Sequence, residues 1–323
     1  MSAPRLVSVG NVIVDVTLRI PALPERGGDV LARDTGSTPG GAFNTLVAAV
    51  RQGVASAYGG GHGTGPLGDR VRSALEAEGI EVLLDASTEA DTGYDIALID
   101  DEGERTFVTV FGAEASLTLH DLASIRLGGI DLNEHDLNEH DLNEHDLVHV
   151  SGYGLLETTN AGVLAPWIAA IAAGHTVLVD PGPLGSDIAA VVLATVAARA
   201  DWFSCNLREA LLLSGAVDAR DAAIALRKTW RAVIIRLGRE GCLVAVDDDV
   251  VHVPGFAVEA IDTNGAGDAH TGAFLAGLAA GEAPTAAALR ANDCAALAVT
   301  RRGPATAPTA VEVQHLLDSA SQG

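Results

Sequence analysis

Lysine is nearly missing from this chain: Lys228 is the only one in 323 residues. Arginine supplies almost all of the 20 basic side chains, which face 43 acidic ones and leave a formal charge of −23. That balance repels nucleic acid and anionic membrane surfaces at long range, so neither is expected as a partner. With its sole lysine outside any Gly-x-x-x-x-Gly-Lys-Ser/Thr run, the chain has no P-loop. Aromatic residues make up only 4%, too few for a base-stacking platform. The three cysteines, Cys205, Cys242 and Cys294, are far apart in apolar surroundings and lack metal-ligand spacing, so they read as buried thiols. No uninterrupted apolar stretch reaches the roughly 18 residues of a membrane span. The N-terminus MSAPRLVSVG has no basic region followed by a long apolar one, so a cytoplasmic protein is expected.

What the chain has in quantity is small apolar side chains. Hydrophobic residues reach 48% and glycine contributes 36 positions, enough for a large core of closely packed helices on a sheet. The length allows one large α/β domain or two ordinary ones, and a single domain over 1–323 is expected.

From residue 147 onward strand and helix signals alternate. Strands are expected at 147–152, 176–180, 201–206, 232–237, 242–246 and 250–253. Helices are expected at 158–173, 184–199, 207–214, 219–229, 267–280, 284–300 and 309–318. This predicts a doubly wound, mostly parallel sheet flanked by helices. The N-terminal part begins with a strand at 5–9 and has helices starting near Asn44 and over 66–78, the second capped by Gly79. Strands at 12–20, 28–36, 94–99 and 105–111 are predicted to form a small separate sheet, a lid subdomain over about 12–36 and 92–112.

DLNEH occurs three times in succession from Asp131 to His145. A metal site is one reading. Five residues advance about 140° around a helix, however, so the histidines would not share a face. The plainer reading is an expanded surface loop.

The segment Asp262-Thr-Asn-Gly-Ala-Gly-Asp268 carries the most chemistry. Gly265, Ala266 and Gly267 allow close backbone approach, and their N–H groups would open a helix N-terminus suited to an anion. Asp268, in the first turn, could take a proton from an incoming hydroxyl or simply cap the helix. His270 reads as a packed helix residue and not as a second acid.

This segment, followed by the small-residue helix AHTGAFLAGLAAG, resembles the C-terminal signature of the ribokinase-like (PfkB) carbohydrate kinases. Gly40-Gly41-Ala42-Phe43-Asn44, with Gly53 and Gly63, resembles their N-terminal signature. Asn206-Leu-Arg-Glu209, Gly238-Arg-Glu-Gly241 and the run Ala291-Asn292 to Gly303 resemble their nucleotide-side elements.

The resemblance implies an ATP-dependent sugar kinase using Mg²⁺. The γ-phosphoryl group would pass to a primary hydroxyl of a sugar or sugar acid. Asp268 would be the base, and Gly265, Ala266 and Gly267 the anion hole. Asp15, Gly40, Gly41 and Asn44 would bind the sugar, while Asn206, Glu209, Gly238, Gly241 and Asn292 would serve the nucleotide. Backbone carbonyls near Asp262, Asn264, Ala298, Arg301 and Gly303 would hold K⁺, as in relatives that use it. The family also suggests a homodimer through the lid.

On their own chemistry, Asp15 and Asn44 could instead be a turn aspartate and an N-cap. Arg105 could reach substrate or only solubilise a strand, and Glu209 could be a solvated helix residue. Gly41 stands where ribokinases place a lysine and Ile13 where they place an asparagine. Ser151-Gly152 lacks their glutamate, and Gly182 replaces an asparagine after Asp180, so ribose is not specified. A nucleoside kinase, using Phe43, Tyr94 and Phe107 for stacking, is the second enzyme reading. A non-catalytic sugar or nucleotide sensor is the third.

Overall fold

The structure is a computed structural model, and it describes residues 3–125 and 145–320. The tandem DLNEH segment at 131–144 lies outside the described residues.

Thirteen strands form two sheets among the described residues. In chain order they are β1 (Leu6–Ser8), β2 (Val12–Arg19), β3 (Arg33–Gly41), β4 (Ser56–Tyr58), β5 (Glu81–Val82), β6 (Tyr94–Ile99) and β7 (Arg105–Val110). The remainder are β8 (Leu147–Ser151), β9 (Thr176–Asp180), β10 (Trp202–Asn206), β11 (Ala232–Arg236), β12 (Cys242–Val246) and β13 (Asp249–Val253).

The large sheet has the order β13-β12-β11-β10-β9-β8-β1-β4-β5. Pairing is parallel from β5 to β11 and antiparallel across β11-β12-β13. A parallel sheet is covered on both faces, and the side chains of each strand feed two cores. Leu6 and Ile234 enter one core with the helices Ala42–Arg51, Ala266–Ala279 and Pro284–Ala298. Val7, Val233 and Ile235 enter the other with the helices Thr158–Ala170 and Ala219–Leu226. The expected doubly wound α/β architecture with a separate small β lid is what the chain forms.

The small sheet has the order β3-β2-β6-β7, with β2 and β6 parallel. Its β3 covers 33–41, several residues later than the expected 28–36. Gly40 and Gly41 therefore end a lid strand. A side chain at Gly40 would collide with the Asp15 carboxyl group, so that Asp15 would have to move to admit one.

Other boundaries also moved. The expected helix at 184–199 is a 3-10 turn, Gly185–Asp187, followed by a shorter helix, Ala190–Ala197. Between them Ile188, only 4% exposed, is drawn into the core with extended backbone. β4 and β5, of three and two residues, are too short to show the period-two pattern by which strands are recognised.

Strand order reverses beside β1: the chain first winds outward to β4 and β5, then returns to β8 and continues through β9, β10 and β11. In open α/β sheets ligands bind at the carboxyl ends of strands near such a reversal. The last residues of β8 to β11 are Ser151, Asp180, Asn206 and Arg236, and pairing aligns Ser151 with Asp180 and Asn206 with Arg236.

Candidate active site

Asp268 sits in the first turn of the helix Ala266–Ala279, whose N-cap is Gly265 in the left-handed region at φ 73°. Glycine takes that conformation without strain, so the chain can turn sharply into the helix. The N–H groups of this first turn have no partner inside the helix and point toward the crevice as a partial positive charge. Ala266 N–H also makes a long bond, 3.3 Å, to Thr263 O.

The helix Ala42–Arg51 runs directly against this one. Its backbone passes so close to Gly272 that any side chain there would strike Thr45 O. That approach brings Asn44 Nδ2 to 3.0 Å from Asp268 Oδ2. The helix starts at Ala42, with Gly41 as its N-cap, so Asn44 lies inside the first turn and does not cap it. Its side chain is thereby released to hold Asp268.

Burial raises the pKa of Asp268 to about 6; Asp180 adds to the rise, and the Asn44 hydrogen bond and the Arg236 cation oppose it. A carboxyl poised there is ionised at neutral pH and still basic enough to receive a proton.

Arg236 is the main feature that the sequence did not reveal. It donates through Nη1 to Asp180 Oδ2 at 2.8 Å, to Ser204 Oγ at 2.7 Å and to Thr271 Oγ1 at 3.2 Å. Its Nη2 lies 3.8 Å from Glu209 Oε2. A Cβ on Gly267 would come within 3.4 Å of the guanidinium. One fixed cation thus stands beside the helix N-terminus, although an arginine closing a strand looks like any solvated one in sequence.

The residues expected on the nucleotide side converge. Asn206, Gly238, Gly241 and Asn292 line one pocket of about 760 Å³ together with Arg236, Ala266 and Gly267. Asn292 Nδ2 donates to Val253 O at 3.1 Å and Pro254 O at 3.0 Å, fixing the wall formed after β13. Asn206 and Glu209 are joined by a capping box at the start of the helix Leu207–Ser214. Asn206 N donates to Glu209 Oε2 at 2.8 Å and Glu209 N to Asn206 Oδ1 at 2.9 Å, so Glu209 is buried rather than solvated. Burial, and then Asp180, raise its pKa against the pull of Arg236. His270 also lines this pocket and is buried. Burial lowers its pKa to about 3, which keeps it neutral.

On the lid side, burial and the neighbouring Asp95 and Asp268 raise Asp15 to about 8. Asp95 was not singled out in the sequence. It is the register partner of Asp15 on β6, is 8% exposed, and is raised by burial to about 6. Tyr153, in the turn after β8, is raised by burial and by Asp95, Asp268, Glu209 and Asp15, to about 12. Of the aromatics considered for stacking, Phe43 is buried in the core and Tyr94 packs against that core. Phe107, 48% exposed, remains on the Asp95 face.

Arg105 neither lies idle nor joins this group. Its Nη2 is 2.5 Å from Asp262 Oδ1, tying the lid to the first residue of the signature segment. Asp262 also accepts from Asn264 N at 3.0 Å and Gly303 N at 3.1 Å. Against burial, which raises it, those N–H groups and then Arg105 hold its carboxyl below the ordinary range. Arg301 pairs with Glu312 at 2.6 Å. Ala298 O accepts from Arg301 N at 3.1 Å and Thr306 Oγ1 at 3.0 Å, which fills both its lone pairs. Of the five residues expected around K⁺, Ala298 is therefore a poor donor here.

Fold and comparison agree on a phosphotransferase with a sugar hydroxyl as acceptor. The model of the pfkB family carbohydrate kinases matches residues 3–310, and the chain belongs to that family. It is 30% identical over 311 residues to the uncharacterized sugar kinase YegV of Escherichia coli, covering 94% of this chain and 91% of that one. It is 31% identical over 316 residues to an ATP-dependent ribose-1-phosphate kinase of Halopiger xanaduensis, covering 97% and 98%. Its fold is ribokinase-like: a ribokinase structure from Thermotoga maritima superposes with a TM-score of 0.78 over 98% of this chain and 100% of that one, at 22% identity. No helix among the described residues is long and apolar enough to cross a membrane.

Proposed function

We propose that this sugar kinase moves the γ-phosphoryl group of ATP to a primary hydroxyl of its acceptor, with Asp268 as the base. The observation that carries the reading is the placement of Asp268. A raised carboxyl, held by Asn44 at 3.0 Å, stands at a helix N-terminus between the 760 Å³ pocket and the acidic lid-side group.

In this reading the nucleotide lies in the pocket lined by Asn206, Gly238, Gly241 and Asn292, with its phosphates directed to Arg236 and the N–H groups of Gly265, Ala266 and Gly267. Asp15, Asn44 and the backbone at Gly40 and Gly41 hold the acceptor. Asp268 takes the hydroxyl proton as the oxygen turns onto phosphorus. The helix N-terminus and Arg236 stabilise the transferring charge where they already stand, which is the main way a protein assists this reaction. Arg105 acts by holding the lid down through Asp262, excluding water that would otherwise accept the phosphoryl group.

Of the two arginines lining the pocket, Arg236 is already paired with Asp180 and Glu209, so a polyanion entering here needs positive charge beyond Arg239. Mg²⁺ fits that need, and it would neutralise phosphate charge when bound. For K⁺ the turn carrying Asp262, Asn264, Arg301 and Gly303 is the candidate, without Ala298.

We also propose a homodimer through the lid. Val108 and Val110, 53% and 41% exposed, lie on the lid face away from Asp15 and Asp95. A monomer mass by light scattering at micromolar concentration would count against it.

The reading is tested by Asp268→Asn. Turnover should fall on the order of 10²–10⁴-fold with the thermal melt unchanged. Near-normal turnover would remove Asp268 as the base.

A further inference from the structure

Asp15 and Asp95 occupy neighbouring parallel strands in direct register, so their side chains leave the same face of the lid. Both are 8% exposed. Burying two carboxyl groups side by side costs stability unless something repays it, and no ion pair or hydrogen bond joins either to a cationic side chain among the described residues. The surrounding cations are committed elsewhere: Arg105, on the same lid face, is paired with Asp262, and Arg236 with Asp180 and Glu209. Arg19 is exposed and lies four residues, about 13 Å, farther along β2 from Asp15. The sole lysine, Lys228, precedes β11 and so lies at the opposite end of the sheet from Arg236.

Among the buried atoms that lack any partner are Asp95 Oδ1 and Asn44 Oδ1, the latter on a residue 4% exposed. Both are acceptors. Native proteins rarely leave buried acceptors empty, and here both belong to one constellation around Tyr153 and Asp268. The chemistry that fills them is a set of hydroxyl or ammonium donors. An anionic group would instead meet the carboxylates of Asp95 and Asp268, with Arg105 and Arg236 already paired elsewhere.

We propose that Asp95 is a second acceptor-binding carboxylate and that, beside Asp15, it restricts the phosphoryl acceptor to neutral or amino-bearing polyols, excluding sugar acids and sugar phosphates. This rests on the kinase reading above, and it narrows the acceptor expected from the sequence by removing the sugar acid. It also separates this chain from its relative named for ribose 1-phosphate. Asp95 holds donors and repels anions; it takes no part in the proton transfer assigned to Asp268.

The test measures two things separately. Binding of D-fructose, D-glucosamine, D-gluconate and ribose 1-phosphate is followed by calorimetry with a non-hydrolysable ATP analogue and Mg²⁺ present. Turnover of the same compounds is followed by ADP release. Wild-type protein should bind at least one of the first two on the order of tenfold or more tighter than either anion. The near-isosteric Asp95→Asn should narrow that preference roughly tenfold, weakening the neutral compounds and strengthening the anions. Equal binding across the four, strong or weak, overturns the inference, as does an anion bound best or a preference unmoved by Asp95→Asn. Discrimination in binding with no ADP release from any compound would support the inference while counting against the kinase reading.

Discussion

Asn44 Nδ2 and Asp268 Oδ2 lie 3.0 Å apart across a separation of 224 residues. The hydrogen bond joins the first turns of two helices that the sequence signatures place at opposite ends of the chain. It favours the ionised carboxylate and opposes the rise that burial imposes on Asp268.

Removing that donor should change both the rate and its pH dependence. Asn44→Ala leaves the burial of Asp268 in place and deletes one opposing influence, so the carboxyl pKa moves above about 6. The base works only when ionised, so the acid limb of the kcat profile should shift to higher pH. Near pH 7 the rate should fall roughly tenfold, and recover in part as pH is raised. A pH–rate profile checks this; a uniform loss at every pH would mean that Asn44 acts only on substrate binding.

Arg236 is expected to couple stability to nucleotide binding. Its side chain is 12% exposed, and it pairs with Asp180, 13% exposed, and the buried Glu209. Arg236→Met leaves two buried carboxylates without a cation, which should cost about 3–5 kcal/mol in urea unfolding at neutral pH. Arg236→Lys keeps the charge and should restore most of that stability, while the KM for ATP stays raised because the planar, multi-donor geometry is lost. Equal stability of the Met variant and the wild type would contradict this account.

The lid latch makes a different prediction. The Arg105–Asp262 pair is partly exposed, so its loss should cost little global stability. Arg105→Ala should raise the acceptor KM several-fold and increase ADP release in the absence of acceptor, because the lid closes less firmly over the site. If the two residues act as one latch, Asp262→Asn should have a similar effect and the double variant little more. Additive effects of the two substitutions would show that they work separately.

Much of this architecture could be read along the chain. The alternation of strands and helices after residue 147 predicted the doubly wound sheet because each element there is long enough to show its own period. β9, β12 and the helix Leu207–Ser214 fall on their expected bounds. The Gly-Ala-Gly-Asp segment was equally legible, since small residues followed by a carboxylate describe a helix start that a ligand can approach. β3 was misplaced because its actual sequence, RDTGSTPGG, is poor in strand formers and is held by pairing with β2. Local preference lost to a tertiary partner.

Three residues of the site escaped notice for related reasons. Arg236 closes an apolar strand, where a charged residue ordinarily means the chain has reached solvent. Asp95 occupies one alternate position of a strand, indistinguishable from an outward-facing polar residue until β2 is seen beside it. Tyr153 lies in a 3-10 turn that carries no sequence signal of its own.

The sequence by itself determined the family, the fold class and the carboxylate at the head of the helix Ala266–Ala279, because those depend on short contiguous patterns with their own physical logic. Only the tertiary structure decided what surrounds that carboxylate. Strand register brought Arg236 to Asp180 and Glu209, set Asp95 beside Asp15, and left the lid side acidic. Charge environment depends on distance through space, and that distance is fixed only once the sheet has ordered its strands.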